Sequence, residues 1–245
     1  MIDIHTHILP YMDDGAKNVE EALRMIECLE EQGVQTAVCT PHFDPTKGSI
    51  EEFMVQREKA SLALKTFRLP LILGSETLYD DLLFQYSSLD HICIYNTKYL
   101  LLELPYQDQW SDYDFEGIER LINLYHIIPI IAHIERYHFL WKNKKHIKRF
   151  MNLGCVMQIN AKTIIDKKKR KTALHYIEKG FIDVIGSDSH NMSKRPPNLK
   201  YAFVIIEKEI GKSYCDRLQE NANLIIRGIR IRNDVSRFML RGSEF

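Results

Sequence analysis

Tryptophan occurs twice in 245 residues, cysteine five times and proline eight times, and no apolar run approaches the roughly 20 residues that a bilayer-crossing helix requires. The cysteines, Cys28, Cys39, Cys93, Cys155 and Cys215, stand singly with no Cys-x-x-Cys pair, which excludes a disulfide scaffold and a zinc ribbon. An excess of either charge is also missing: 33 basic residues balance 33 acidic ones, so nucleic acid is not an expected partner. Eleven glycines, no Ser/Gly linker and no internal repeat exclude collagenous and low-complexity chains and leave one domain, expected over residues 1–241. The opening Met1-Ile2-Asp3-Ile4-His5 carries no cationic or cleavable apolar leader, so a reduced, cytoplasmic setting is expected. The final Gly242-Ser243-Glu244-Phe245 reads as the translation of two adjoining restriction sites and carries no weight.

What is present is an alternation. Short runs rich in Ile, Val and Leu fall at residues 2–5, 35–40, 71–74, 99–104, 127–132, 156–160 and 182–186. They lack strict polar alternation, as do strands buried on both faces of a parallel sheet. Helical patterns separate them at 19–32, 51–66, 114–125, 144–152, 172–179 and 199–232, the last with Gly211 as a break. About seven βα units imply an α/β fold, a parallel barrel rather than a sandwich or a bundle.

Histidine is the residue with an unusual distribution. Of 10 histidines, His5 and His7 close the first strand, His42 follows the second, His133 the fifth and His190 the last. Carboxylates take equivalent positions: Glu76 after the third strand, Glu103 near the end of the fourth, and Asp188 after the last. All strand C-termini of a parallel barrel open on one face, so these residues are expected to converge there. His5-x-His7 and Asp188-x-His190 each put two donors on one side of an extended chain. Imidazole and carboxylate without thiolate suit Mn, Fe or Zn in a catalytic site, and so many donors suit two or three ions. Glu103, in an otherwise apolar run, needs a metal or a basic partner, because a buried unpaired carboxylate costs several kcal/mol. His91, His126, His138, His146 and His175 lack this position and read as ordinary residues.

His5-x-His7, Asp13-Asp14-Gly15, Thr40-Pro41-His42, Ala132-His133-Ile134-Glu135-Arg136 and Ser187-Asp188-Ser189-His190 resemble the polymerase-and-histidinol-phosphatase (PHP) superfamily. Within it the chain is similar, from Met1 to about Arg232, to the bacterial manganese-dependent tyrosine-protein phosphatases of capsule and exopolysaccharide operons. The resemblance implies a distorted seven-stranded βα barrel. It also implies one ion on His5, His7, Glu76 and Asp188, a second sharing Glu76 and adding Glu103 and His133, and a third on Asp14, His42 and His190. Asp13 is the less expected ligand of the acidic pair. Arg136 and Arg195 match phosphate-gripping arginines and, with Asp14, are the candidate catalytic residues.

The chemistry expected is hydrolysis by water whose pKa a metal lowers from about 16 toward about 7. The two arginines would hold the nonbridging oxygens, and a phenol with a pKa of about 10 would leave without much need of a general acid. No cysteine lies in a His-Cys-x5-Arg pattern, so a thiol nucleophile is not expected. By resemblance the substrate is a tyrosine-phosphorylated protein, the tail of a membrane-associated autophosphorylating kinase. Tyr11, Phe43, Tyr79, Tyr106 and Tyr137 lie near ligands in sequence and form either an aromatic mouth or rim packing. The basic stretches 142–149 and 162–171 read as solvated helix faces, or as docking for an acidic peptide or a membrane surface. Histidinol phosphate as substrate and a non-catalytic metal-bound module are the alternatives, and self-association is left open. A polymerase-type exonuclease lacks its polymerase domain, and an amidohydrolase would want Lys and His where Glu103 and Asn160 stand.

Overall fold

The computed structural model describes residues 1–64, 68–107 and 109–231. The expected end of the second helix at 65–66, the end of the last helix and of the domain at 232–241, and the terminal residues 242–245 lie outside the described residues. In chain order the elements are β1 (Ile2–Thr6), α1 (Val19–Glu31), β2 (Thr36–Cys39), β3 (His42–Phe43), α2 (Ile50–Leu62), β4 (Leu71–Leu73), β5 (Glu76–Leu78), β6 (Tyr99–Glu103) and α3 (Asp112–Tyr125). They continue with β7 (Ile128–Ile131), α4 (His138–Trp141), α5 (Lys144–Asn152), β8 (Val156–Asn160), α6 (Ala161–Ile165), α7 (Lys167–Glu178), β9 (Val184–Gly186), α8 (Leu199–Ile210) and α9 (Lys212–Ile226).

All strand pairings are parallel, in one sheet ordered β1-β2-β4 and another ordered β3-β5-β6-β7-β8-β9. The expected count of seven strands is therefore corrected: β3 and β5 are additional, and the sheet is curled and in two parts. The reason lies at Pro41 and at Gly74-Ser75. Thr40 N still donates to Thr6 O (2.8 Å), but Pro41 has no N–H for the ladder. Beyond it the chain resumes as β3, with Pro41 O accepting from Glu76 N (3.0 Å). The other seam is bridged between Thr6 and Ser189, where His7 N donates to Ser189 O (2.8 Å) and Asp188 N to His5 O (2.9 Å).

Helix starts follow local capping. Ser49 and Ser111 make reciprocal capping boxes with Glu52 and Asp114. Asp166 accepts from Lys168 N (2.8 Å), so α7 begins at Lys167, five residues before its apolar pattern suggests. Two clusters make the core. One gathers Val38, Leu101, Ile130, Val156 and Val184 with Ala222 and Ile225 of α9, and the other packs Leu100, Leu102, Ile131, Met157 and Ile159 under the surrounding helices. In β6 this alternation puts Leu101 and Glu103 on the same face, so the strand that fills the inner core also points a carboxylate at its open end. Among the described residues no helix is long and apolar enough to cross a membrane.

One buried acid has no part in the site. Asp183 accepts from Met157 N (2.8 Å), and burial pushes its carboxyl up to about 6. A folded pKa above the unfolded one stabilises the folded protein below the unfolded value and loses that contribution as pH rises through the folded value. Asp183→Asn keeps an acceptor for Met157 and removes the buried charge. Urea unfolding is expected to find the variant more stable by about 1–3 kcal/mol at pH 7.5, with the difference narrowing at pH 5.

Candidate metal centre

Each expected side chain reaches the C-terminal end of the sheet by a local device. His5 lies one residue before the end of β1 against Gly186, where a Cβ would lie 2.5 Å from His5 Cβ, so only glycine admits the imidazole there. Gly15 serves His7 in the same way: an added Cβ would lie 2.2 Å from His7 O and 2.7 Å from His7 Cβ. His42 and Glu76 pair across β3 and β5, the two short strands. His133 (φ 31°) and Asp188 (φ 53°) both adopt left-handed backbone, a strained conformation that turns each side chain off its strand end into the site.

The side chains converge. His5 Nε2 and His7 Nε2 are 3.2 Å apart, and each is 3.1 Å from Glu76 Oε2. His133 Nε2 is 2.7 Å from Glu76 Oε1 and 3.6 Å from Glu103 Oε1. His190 Nε2 lies 3.2 Å from Asp14 Oδ1, and His42 Nε2 lies 3.6 Å from the same oxygen. Three groups have donor atoms all within 4.8 Å: His5, His7, Glu76 and Asp188; His7, Asp14, His42 and His190; and His42, Glu76 and Glu103. His42, expected only with Asp14 and His190, thus also faces Glu76, with Nδ1 3.4 Å from its Oε2.

The donor chemistry fits divalent cations. Two buried imidazole nitrogens aimed at one carboxylate oxygen are hard to satisfy by hydrogen bonds alone, and the buried His190 Nε2 has no hydrogen-bond partner among the described residues. Burial alone would raise Glu76, yet the imidazoles of His5 and His133 hold its carboxyl well below the usual range. Asp188 is likewise held low against burial by His5 and Arg136. Carboxylates kept ionised among imidazoles are what a hard or borderline cation requires.

Several partners escaped the sequence reading. Asp13 is a partner of His7: its Oδ2 accepts from His7 Nδ1 (2.7 Å) and from His42 N (2.8 Å), and its Oδ1 from Gly15 N (2.9 Å). An ionised carboxylate can only accept, so Nδ1 carries the proton and Nε2 is left to face Glu76. Asp14, by contrast, is mostly exposed at the rim. Gln158 Oε1 accepts from His133 N (2.6 Å), and Asn160 Nδ2 donates to Asp188 Oδ2 (2.6 Å). The legible signal was their spacing, two polar residues two apart in an otherwise apolar strand.

Arg136 and Arg195 both reach Asp188: Arg136 Nη2 donates to Oδ2, and Arg195 Nη2 to Oδ1 (2.7 Å). Arg136 sits on a single 3₁₀ turn, Ile134–Arg136, and the neighbouring Glu135 is pinned by Asn160 N (3.0 Å) and Thr163 Oγ1 (2.8 Å). Of the aromatic residues, Phe43 and Tyr137 are buried packing and Tyr79 is half-buried, whereas Tyr106 and Tyr11 are exposed. Tyr106 borders both grooves that open at the centre, and its hydroxyl donates to Glu103 Oε1 (3.3 Å). The other histidines stay outside: His126 ends α3, His146 contacts Phe139 O, and His175 contacts Lys144.

Among the described residues the cysteines are all free, and burial pushes Cys39 and Cys93 up to about 12 and Cys215 up to about 11. A thiol so raised is a poor nucleophile at neutral pH. Alkylation with iodoacetamide is expected to leave hydrolysis of a small aryl phosphate unchanged; a loss that tracks labelling of one cysteine would contradict this.

Fold and site together define an α/β protein with a curled parallel sheet and a His/Asp/Glu centre able to hold metal ions. The chain belongs to the CpsB/CapC family of capsular polysaccharide synthesis, which matches residues 1–227. It is 35% identical over 243 residues to tyrosine-protein phosphatase CpsB of Streptococcus agalactiae, covering 93% of this chain and 98% of that one. It is 29% identical over 238 residues to tyrosine-protein phosphatase YwqE of Bacillus subtilis, covering 93% and 92%. A solved structure described as YwqE from Bacillus subtilis and CpsB from Streptococcus pneumoniae, unique metal-dependent tyrosine phosphatases, superposes with a TM-score of 0.79 at 29% identity, over 94% of this chain and 96% of that one.

Proposed function

We propose that this chain is a metal-dependent protein-tyrosine phosphatase that hydrolyses phosphotyrosine on a partner protein. The observation that carries the reading is the meeting of the imidazoles and carboxylates around Glu76 with two arginines at one sheet end. The names of the relatives support it. We assign His5, His7, Glu76 and Asp188 to one ion, Glu76, Glu103 and His133 to a second, and Asp14, His42 and His190 to a third, with manganese the expected metal. Bound cations would supply Lewis acidity, lowering the pKa of water and drawing charge from the phosphoryl group.

The chain's own residues do the rest. Arg136 and Arg195 present N–H forks that bind nonbridging phosphoryl oxygens, and a phosphate dianion would share them with Asp188. Asp13 holds the His7 ring in the tautomer that leaves Nε2 free. Tyr106, exposed between the two grooves, flanks the phenol ring of the substrate. Asp14, the exposed carboxylate at the rim 3.5 Å from Arg195, serves the third site and is the remaining candidate catalytic group. The phenol leaves readily, and no phosphoenzyme forms. We further read residues 1–241 as one domain, the two sheets as one distorted barrel of the PHP type, the setting as cytoplasmic, and the partner as a membrane-associated tyrosine kinase.

The test is chelation, return of Mn, and measurement of phosphate release from a phosphotyrosyl peptide and from histidinol phosphate. Mn-dependent release from the peptide alone supports the reading. Preference for histidinol phosphate, or no release from either with Mn, Fe or Zn, overturns it.

A further inference from the structure

A groove of about 1260 Å³ leads away from Arg136, Asp188 and Arg195, floored by α6 and walled by α8 and the end of α1. It exceeds the roughly 300–1,000 Å³ that encloses a drug-sized ligand, so a phosphotyrosine side chain would leave most of it unfilled. Its lining has two characters. Ile165 of α6 faces Tyr201 and Val204 of α8, which are 61% and 55% exposed although large and apolar. Lys162, Lys194 and Lys200 add three exposed ammonium groups, none in an ion pair among the described residues, while Glu31 is the one acid besides Asp188.

The second groove at the centre, about 820 Å³, offers no unpaired ammonium group among the described residues. Asp13, Asp14, Asp44, Glu52 and Glu103 line it, and its Lys47 is bonded to Asp44 (2.8 Å). Apart from Asp13, bonded to His7, and the carboxylates assigned to ions, it holds Asp44 and Glu52, so an acidic flank gains more in the first groove, where the three lysines stand. Outside the groove, beyond Ile165 and the N-cap Asp166, the first turns of α7 carry exposed Lys167, Lys168, Lys169 and Lys171 with no acidic residue in the first turn. Cations at the positive end of a helix oppose its dipole, so helix stability does not account for them.

Resting on the phosphatase reading, we infer that the first groove is the peptide subsite of the enzyme. It takes an extended segment flanking the phosphotyrosine, with apolar side chains against Ile165, Tyr201 and Val204 and acidic side chains against Lys162, Lys194 and Lys200. The specificity this implies is for acidic, partly apolar phosphotyrosyl segments, and it is electrostatic enough to weaken with salt.

The test uses the full chain, a fluorescent peptide with a non-hydrolysable phosphotyrosine mimic and acidic flanks, and p-nitrophenyl phosphate. The double variant Lys162→Glu with Lys200→Glu is expected to lose at least tenfold in peptide affinity by anisotropy, and Val204→Asp at least fivefold. A peptide with lysine flanks should regain affinity for the double variant, and Mn-dependent hydrolysis of p-nitrophenyl phosphate should stay within twofold. Unchanged peptide affinity in both variants overturns the inference. So does a loss accompanied by a changed oligomeric state, which would make the groove a contact between copies of this chain. If the wild type does not hydrolyse p-nitrophenyl phosphate, the phosphatase reading fails by itself, and the anisotropy still decides the groove.

Discussion

Glu76→Gln is expected to lower turnover of a phosphotyrosyl substrate by about a thousandfold or more, the several kcal/mol that cation chemistry supplies. Glu76 is buried, and its two oxygens face His5, His7 and His133 at 3.1, 3.1 and 2.7 Å. It belongs to two of the three donor groups, so no other single carboxylate change weakens so much of the centre. Glutamine keeps the shape and one acceptor but loses the charge. Two readouts besides turnover follow. Mn should raise the melting temperature of the wild type by mass action, and the variant should lose most of that rise. The metal-free variant should also be less stable at pH 7, because a carboxyl held below its unfolded pKa stabilises the folded protein above that unfolded value. Retention of turnover within tenfold, with an unchanged response to Mn, would remove Glu76 from the centre.

Arg136→Ala is expected to lower kcat/KM by about 10²–10³, the magnitude of losing one preorganised donor to a developing charge. The loss should be alike for the peptide and for p-nitrophenyl phosphate, because Arg136 would hold the phosphoryl group common to both. That separates it from changes in the groove, which should spare the small substrate. Arg136→Lys should recover only part, since an ammonium group cannot form the planar two-pronged contact. The guanidinium is well fixed for this role. Its 3₁₀ turn follows directly on the strained His133, and Glu135 next to it is tied to Asn160 and Thr163. A loss below threefold for both substrates would make Arg136 a partner of Asp188 and no more.

The groups most readily legible in the chain were those whose chemistry is unusual for their place. Ile- and Val-rich runs buried on both faces read as parallel strands, and each has its counterpart in the structure within two residues. Histidines and carboxylates at their ends read as one site, since a parallel sheet sends every strand terminus the same way. Gly211, between two apolar periodicities, marked the break between α8 and α9. These are local patterns, set by side-chain period and by what burial tolerates.

What tertiary structure alone decided depends on partners distant in sequence. β3 and β5 are too short to carry a periodic signal and exist because each completes the other's ladder across the seam at Pro41. Asp13 and Asp14 are neighbours with the same side chain. One turns inward, where His7 Nδ1, His42 N and Gly15 N donate to it, and the other stays at the exposed rim with Oδ1 3.2 Å from His190 Nε2. Gln158 meets His133 across 25 residues, and Asn160 meets Asp188 across 28. The basic groove joins Lys162 to Lys200 through the packing of α6 against α8. Residue type and spacing state which donors a chain owns; direction, tautomer and shared surface arise only when a hydrogen bond or a steric limit from another element selects among them.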